Sequence, residues 1–189
     1  MSDARCGNSA APSRVAGSVA LSTWRETVTN LAAAVLPARG RVLNAYGMSL
    51  ELDSLETSFD LVAADGDRLM DVFYARLFAA APAVQPLFAG VDLRRQKGML
   101  LAALVLLRKS LRNLDAIVPS LRALGARHVA YGAQAEHYPV VGEVLIASMA
   151  VVAGDAWRPE YERAWAAAFE VVSGVMIEGA AAAELDLAA

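Results

Sequence analysis

The segment LGARHVAYGAQAEHYPVVG, residues 124–142, holds both histidines of the 189-residue chain, His128 and His137. They lie nine residues apart, which on one continuous helix sets them about 180° from each other at ~100° per residue. They therefore share no metal ion on such a helix. Leu121, Leu124 and His128 recur at i, i+3 and i+7, so one imidazole sits on an apolar helical face that Gly132 brings to an end. Two readings of His128 stand. In one it is a core histidine bonded to a backbone carbonyl. In the other it is a single neutral imidazole, one nitrogen on a haem iron and the other held by an acceptor.

Outward from this segment the periodicity is helical throughout. Leu52, Leu55, Phe59 and Val62 form one stripe, and Asp65-Gly66-Asp67 supplies a break and a cap. A second helix follows through Leu69, Met70, Phe73, Tyr74, Leu77 and Phe78, and Pro82 opens a short piece that ends at Phe88. Asp92 caps a helix whose apolar run, residues 99–107, predicts burial on most sides. Two long helices close the chain, one through Val141 to Val152 and one from about Pro159 through Tyr161, Trp165, Phe169 and Met176. No alternating β-branched run or Asn-Gly turn predicts a strand after Met48. The expected fold class is all-α, with six to eight helices around one core.

Residues 1–47 carry five arginines against Asp3 and Glu26, while the chain as a whole has a net charge of −3. This segment reads as an N-terminal extension, either disordered or upstream of a native start at Met48. A weak helical pattern runs through Val28, Leu31, Ala32 and Val35 until Pro37 and Gly40 cut it. Residues 48–182 form the expected domain, and 183–189 a frayed tail.

With 17 basic and 20 acidic residues dispersed along the chain, there is no footprint for a nucleic-acid partner. The longest uncharged stretches, such as residues 27–37 and 144–154, fall short of the ~20 residues of a membrane span. The chain therefore reads as soluble, and residues 15–24 are too rich in Ser and Gly for a secretory core. A single cysteine, Cys6, excludes an intrachain disulfide, a Cys-based zinc site and covalent haem attachment, so a reducing, cytoplasmic setting is expected.

Four further blocks fall into order with the opening segment and its continuation EHYPVVGEVLI (136–146): DVFYARLF (71–78), PAVQPLF (82–88), the region of Gln96 and AWAAAF (164–169). Tyr74, Gln96, His128 and Tyr138 follow one another at spacings of 22, 32 and 10 residues. In these blocks the chain resembles a bacterial single-domain globin, similar to the haem domain of flavohaemoglobins. The resemblance implies a globin fold and a non-covalent b-type haem, with His128 as the proximal iron ligand. It further implies that Phe88 packs flat on the porphyrin, that Tyr74 and Gln96 are distal residues facing the iron, and that Leu100 crowds the bound ligand. Phenol and carboxamide are suitable donors there, because dioxygen accepts hydrogen bonds that carbon monoxide scarcely uses.

Tyr138 matches a tyrosine that joins the proximal histidine and a glutamate in the flavohaemoglobin group. The chain departs at the glutamate. Fifty-two residues after His128 stands Ala180, and Glu178 lies about 200° round the helix from it. A full proximal triad is therefore not expected, and His137 reads as a loop residue. No GxGxxG or Walker pattern accompanies the globin-like region, so turnover calls for a separate reductase.

Three functions remain from this reading. The first is reversible dioxygen binding for storage, transport or sensing; the second is nitric oxide dioxygenation with a separate reductase; the third is a haem-free interaction module. By analogy with other globins, the last two helices also offer a surface for a homodimer.

Overall fold

The computed structural model describes residues 41–43 and 49–188, with side chains from Leu50 to Asp186. The expectations for residues 1–40 and 44–48 lie outside the described residues. Six α-helices are described: α1 (Leu52–Ala63), α2 (Gly66–Ala80), α3 (Leu93–Ser110), α4 (Val118–Ala130), α5 (His137–Ala153) and α6 (Pro159–Ala188). Short 3-10 segments link them at Pro82–Phe88, Leu111–Ile117 and Gly154–Ala156. The all-α expectation holds.

The core lies among α1, α2, α5 and α6. The stripe read from sequence on α1 is buried as Leu52, Leu55, Phe59 and Val62, and it packs with Leu69, Met70, Phe73 and Leu77 of α2. Trp165 of α6 is fully enclosed, and its indole N–H donates to Ser58 Oγ at 2.9 Å. Ser58 in turn donates to the Ser54 carbonyl at 2.6 Å, so the Trp165 indole and the Ser58 hydroxyl are both satisfied. Asp92 caps α3 as predicted, accepting from the N–H groups of Arg94 and Arg95 at 3.0 and 3.2 Å.

Four expectations need correction. First, a two-stranded antiparallel ribbon precedes the helices, β1 (Arg41–Leu43) on β2 (Ser49–Glu51), with Val42 opposite Leu50. Three-residue strands are too short for alternation to register in a sequence, yet this one seats Leu50 fully in the core. Second, α6 runs helical through the residues read as a tail, to Ala188; its last two turns are rich in alanine, the best helix former.

Third, α3 is not buried on most sides. Of its apolar run only Leu104 is buried, while Met99 is 55% and Leu106 52% exposed. Helix α4 is similar, with Gly125 its sole buried residue. The two helices that carry the candidate site thus bring more apolar surface than the rest of the chain covers. Fourth, α5 with its following turn (residues 137–156) and most of α6 (159–186) are long and apolar enough to cross a membrane by length and composition. Counting uncharged runs missed them because single charges such as Glu143 interrupt both. Core helices of a globular domain have the same character, and Leu145, Met149, Trp165 and Val175 are buried within this one.

Candidate functional site

Tyr74 stands on the inner face of α2, 3% exposed, within an aromatic cluster. Its ring meets Phe73 at 5.0 Å, Phe88 at 5.8 Å edge-on and Phe78 at 5.9 Å. Phe88 reaches this cluster because Pro82 starts, and Pro86 tightens, the 3-10 segment that carries it. The Gln96 side chain on α3 comes close enough to the Tyr74 hydroxyl to work against the effect of burial on the phenol. Leu100 lies half-buried one turn further along the same helix. Tyr74, Phe88 and Gln96 thus lie near one another in this fold.

Two contacts set the approach of α2 to α3. A Cβ on Gly66 would stand 2.8 Å from Leu101 Cδ2, so the bare glycine lets that leucine seat. Lys97, next to Gln96, pairs with Asp71, one turn before Tyr74, at 2.5 Å. This ion pair is partly exposed and is worth at most about 1 kcal/mol.

On the other side, His128 presents its Nδ1 to the carbonyl of Leu124, one helical turn back, at 2.8 Å. That bond fixes the ring and directs Nε2 away from its own helix turn. The Tyr138 ring lies 6.3 Å away at an interplanar angle of 32°, and Tyr131 packs at 5.7 Å. The Tyr138 hydroxyl is buried and makes no hydrogen bond. Glu178 bridges to Arg122 at 3.0 Å. His137 accepts the Gln134 N–H at 3.1 Å, which makes it part of the turn into α5.

One feature of this side escaped the sequence reading. Helices α4 and α6 cross through Gly125 and Gly179: a Cβ on Gly125 would lie 1.8 Å from the Met176 carbonyl oxygen, and one on Gly179 would lie 2.2 Å from that of Arg122. The two backbones touch, and the helix that bears His128 is seated on α6 by this reciprocal contact. A glycine in mid-helix, which costs about 1 kcal/mol against alanine, was the available signal.

Burial pushes the Tyr74 phenol above its usual range, while the Gln96 side chain works the other way; burial alone pushes Tyr138 up. Both are neutral donors near neutral pH. Because their folded values lie above the unfolded value near 10, their contribution to stability is complete below that pH and is lost as pH rises beyond it. Alkaline unfolding followed by circular dichroism should therefore start at higher pH in the Tyr74→Phe, Tyr138→Phe double variant.

Among the described residues no group of three or more His, Cys, Asp and Glu side chains gathers to hold a metal ion. What the arrangement can offer is one aimed imidazole, two neutral hydrogen-bond donors and apolar walls. Such a set suits a group that brings its own equatorial ligands.

The family profile described as Globin matches residues 71–176, just over half of the sequence and every residue of the set above. The chain belongs to the globin family. Among relatives, this globin is 33% identical over 116 residues to the flavohemoprotein of Deinococcus radiodurans, covering 60% of this chain and 29% of that protein. It is 26% identical over 128 residues to the flavohemoprotein of Bacillus subtilis, covering 67% and 32%. The globin thus spans about a third of the length of the relatives it matches. Among solved structures it superposes on an engineered carbene transferase from Rhodothermus marinus with a TM-score of 0.66 at 24% identity, covering 73% of this chain and 96% of that one. For the bacterial globin of Campylobacter jejuni the TM-score is 0.60 at 22% identity, covering 69% and 94%. These two likenesses establish the fold.

Proposed function

We propose that this globin holds a b-type haem non-covalently through His128 and uses it to bind dioxygen reversibly, for storage, delivery or sensing. The observation that carries the reading is the aim of His128, whose Nδ1 is held by a backbone carbonyl at 2.8 Å beside half-covered apolar helices. The buried, unpartnered Tyr138 hydroxyl adds a polar atom that a bound group with an acceptor would satisfy. Bound haem would supply an iron able to take a diatomic ligand. The remaining contributions are the chain's own. Tyr74 and Gln96 donate hydrogen bonds to dioxygen, Leu100 limits the space around it, Phe88 packs against the porphyrin, and the aromatic cluster excludes water.

A second reading, nitric oxide dioxygenation with electrons from a separate reductase, uses the same two donors. The proximal side favours the first. A carboxylate partner would raise the basicity of the imidazole and promote redox chemistry, and His128 has a neutral carbonyl in that place. With a lone cysteine at Cys6, a reducing cytoplasm is the matching compartment.

Absorption spectra of the purified protein, as isolated, reduced with dithionite and then in air, test the proposal. A Soret band that shifts on reduction and gives a stable spectrum in air is expected. No Soret band even with added hemin would overturn it and leave the interaction module. Tyr74→Phe should speed dioxygen release several-fold, the ~1 kcal/mol of one hydrogen bond, at unchanged haem content. An unchanged release rate in stopped flow would mean that the hydroxyl does not face the ligand.

A further inference from the structure

Helices α2 and α3 meet where Leu101 seats on Gly66 and Lys97 pairs with Asp71, with Gln96 beside Tyr74. One turn past Tyr74 the seam is no longer filled. Phe78 of α2 and Leu93 of α3 both line an open cleft of about 540 Å³, together with Pro82, Pro86, Phe88 and Val91. Gln85 is the single polar side chain among its lining residues. The walls continue into the cluster around Tyr74, because Phe78 and Phe88 each stand within 5.9 Å of the Tyr74 ring and 5.4 Å from one another. Two aromatic rings thus form the partition between the cleft and the hydroxyl.

We infer that this cleft is the path by which a small uncharged diatomic molecule reaches Tyr74, with Phe78 as the movable partition. The inference rests on the functional reading above. A cleft lined almost wholly by apolar side chains offers charged solutes nothing to replace their hydration. The opposite end of the seam is closed where Leu101 seats on Gly66. Phe78 is only half-buried, whereas Tyr74 is enclosed, so the ring at the partition is the one with room to turn.

A path differs from a binding contact in its kinetic signature. Obstructing it slows arrival and escape by the same factor and leaves the equilibrium affinity unchanged. Val91 and Gln85 are exposed lining residues where tryptophan can be accommodated without disturbing the core. Laser photolysis of the carbon monoxide complex of the haem-loaded protein should give association and dissociation rates that both fall several-fold in Val91→Trp and Gln85→Trp. Phe78→Ala should raise both. Crystals of the haem-loaded protein pressurised with xenon should hold xenon in the cleft. A carbon monoxide complex whose rates are the same in wild type and both tryptophan variants would overturn the path while leaving the haem reading intact. Failure to form any such complex would overturn the haem reading, and the path with it.

Discussion

His128→Ala should purify as a folded helical protein that no longer holds haem in the coordination proposed for the wild type. The variant loses the one aimed imidazole, and no second histidine is placed to substitute, since His137 is engaged in the turn into α5. Altering an outer-shell partner typically costs 10- to 100-fold in metal affinity, so removing the ligand itself should cost at least ~100-fold. Hemin titration reads this directly, and free imidazole added to the variant should restore much of the wild-type spectrum by occupying the vacated position. The apoprotein serves as the control. His128 is half-buried, and its described hydrogen bond runs to Leu124 within its own helix; alanine is the better helix former, so apoprotein stability should change by no more than about 1 kcal/mol. An alanine variant with an unaltered Soret band would remove the central claim.

The second large effect concerns the crossing of α4 on α6. Gly125→Ala places a methyl group 1.8 Å from the Met176 carbonyl oxygen, and Gly179→Ala places one 2.2 Å from the Arg122 carbonyl oxygen. Both obstacles are backbone, so the helices must part. Overpacking of this kind costs typically 1–3 kcal/mol and occasionally more, and the absence of any yielding side chain puts these variants at the upper end, about 3 kcal/mol. For a chain of this size that lowers Tm by roughly 6–12 °C. Haem affinity should fall as well, because α4 carries His128. The sign is informative: at Gly98 and Gly174 an added Cβ meets nothing within 4 Å, and the same substitution should stabilise by about 0.5–1 kcal/mol. Thermal unfolding of the four apoproteins checks the contrast. Equal shifts at all four positions would mean that the close approach of α4 to α6 has no energetic weight.

Much of this arrangement was legible before any coordinates. The stripe on α1, the cap at Asp92 and the apolar face bearing His128 are local patterns, fixed by a period of 3.6 residues and by the chemistry of one capping carboxylate. Tyr74 and Gln96 were singled out by resemblance, and the fold places the two side chains near each other. What remained hidden depends on a partner. Gly125 acquires its meaning only from Met176, and Gly179 only from Arg122, each pair separated by more than fifty residues. The exposure of Met99 and Leu106 was hidden for a related reason, because apolar character says that a side chain is better covered and not what covers it. Glu178 was located well enough to doubt the triad, but its pairing with Arg122 is a tertiary fact.

The bond from His128 Nδ1 to the Leu124 carbonyl has a meaning beyond this molecule. Its acceptor is main chain and lies within one turn of the donor, so the hydrogen bond that orients the ring is contained in five consecutive residues. Such a unit is portable. Grafted onto any exposed helix, LGARH should present its outer nitrogen at the same angle. A protein designer borrowing this ligand would need to transplant a turn of helix and could leave the rest of the pocket behind.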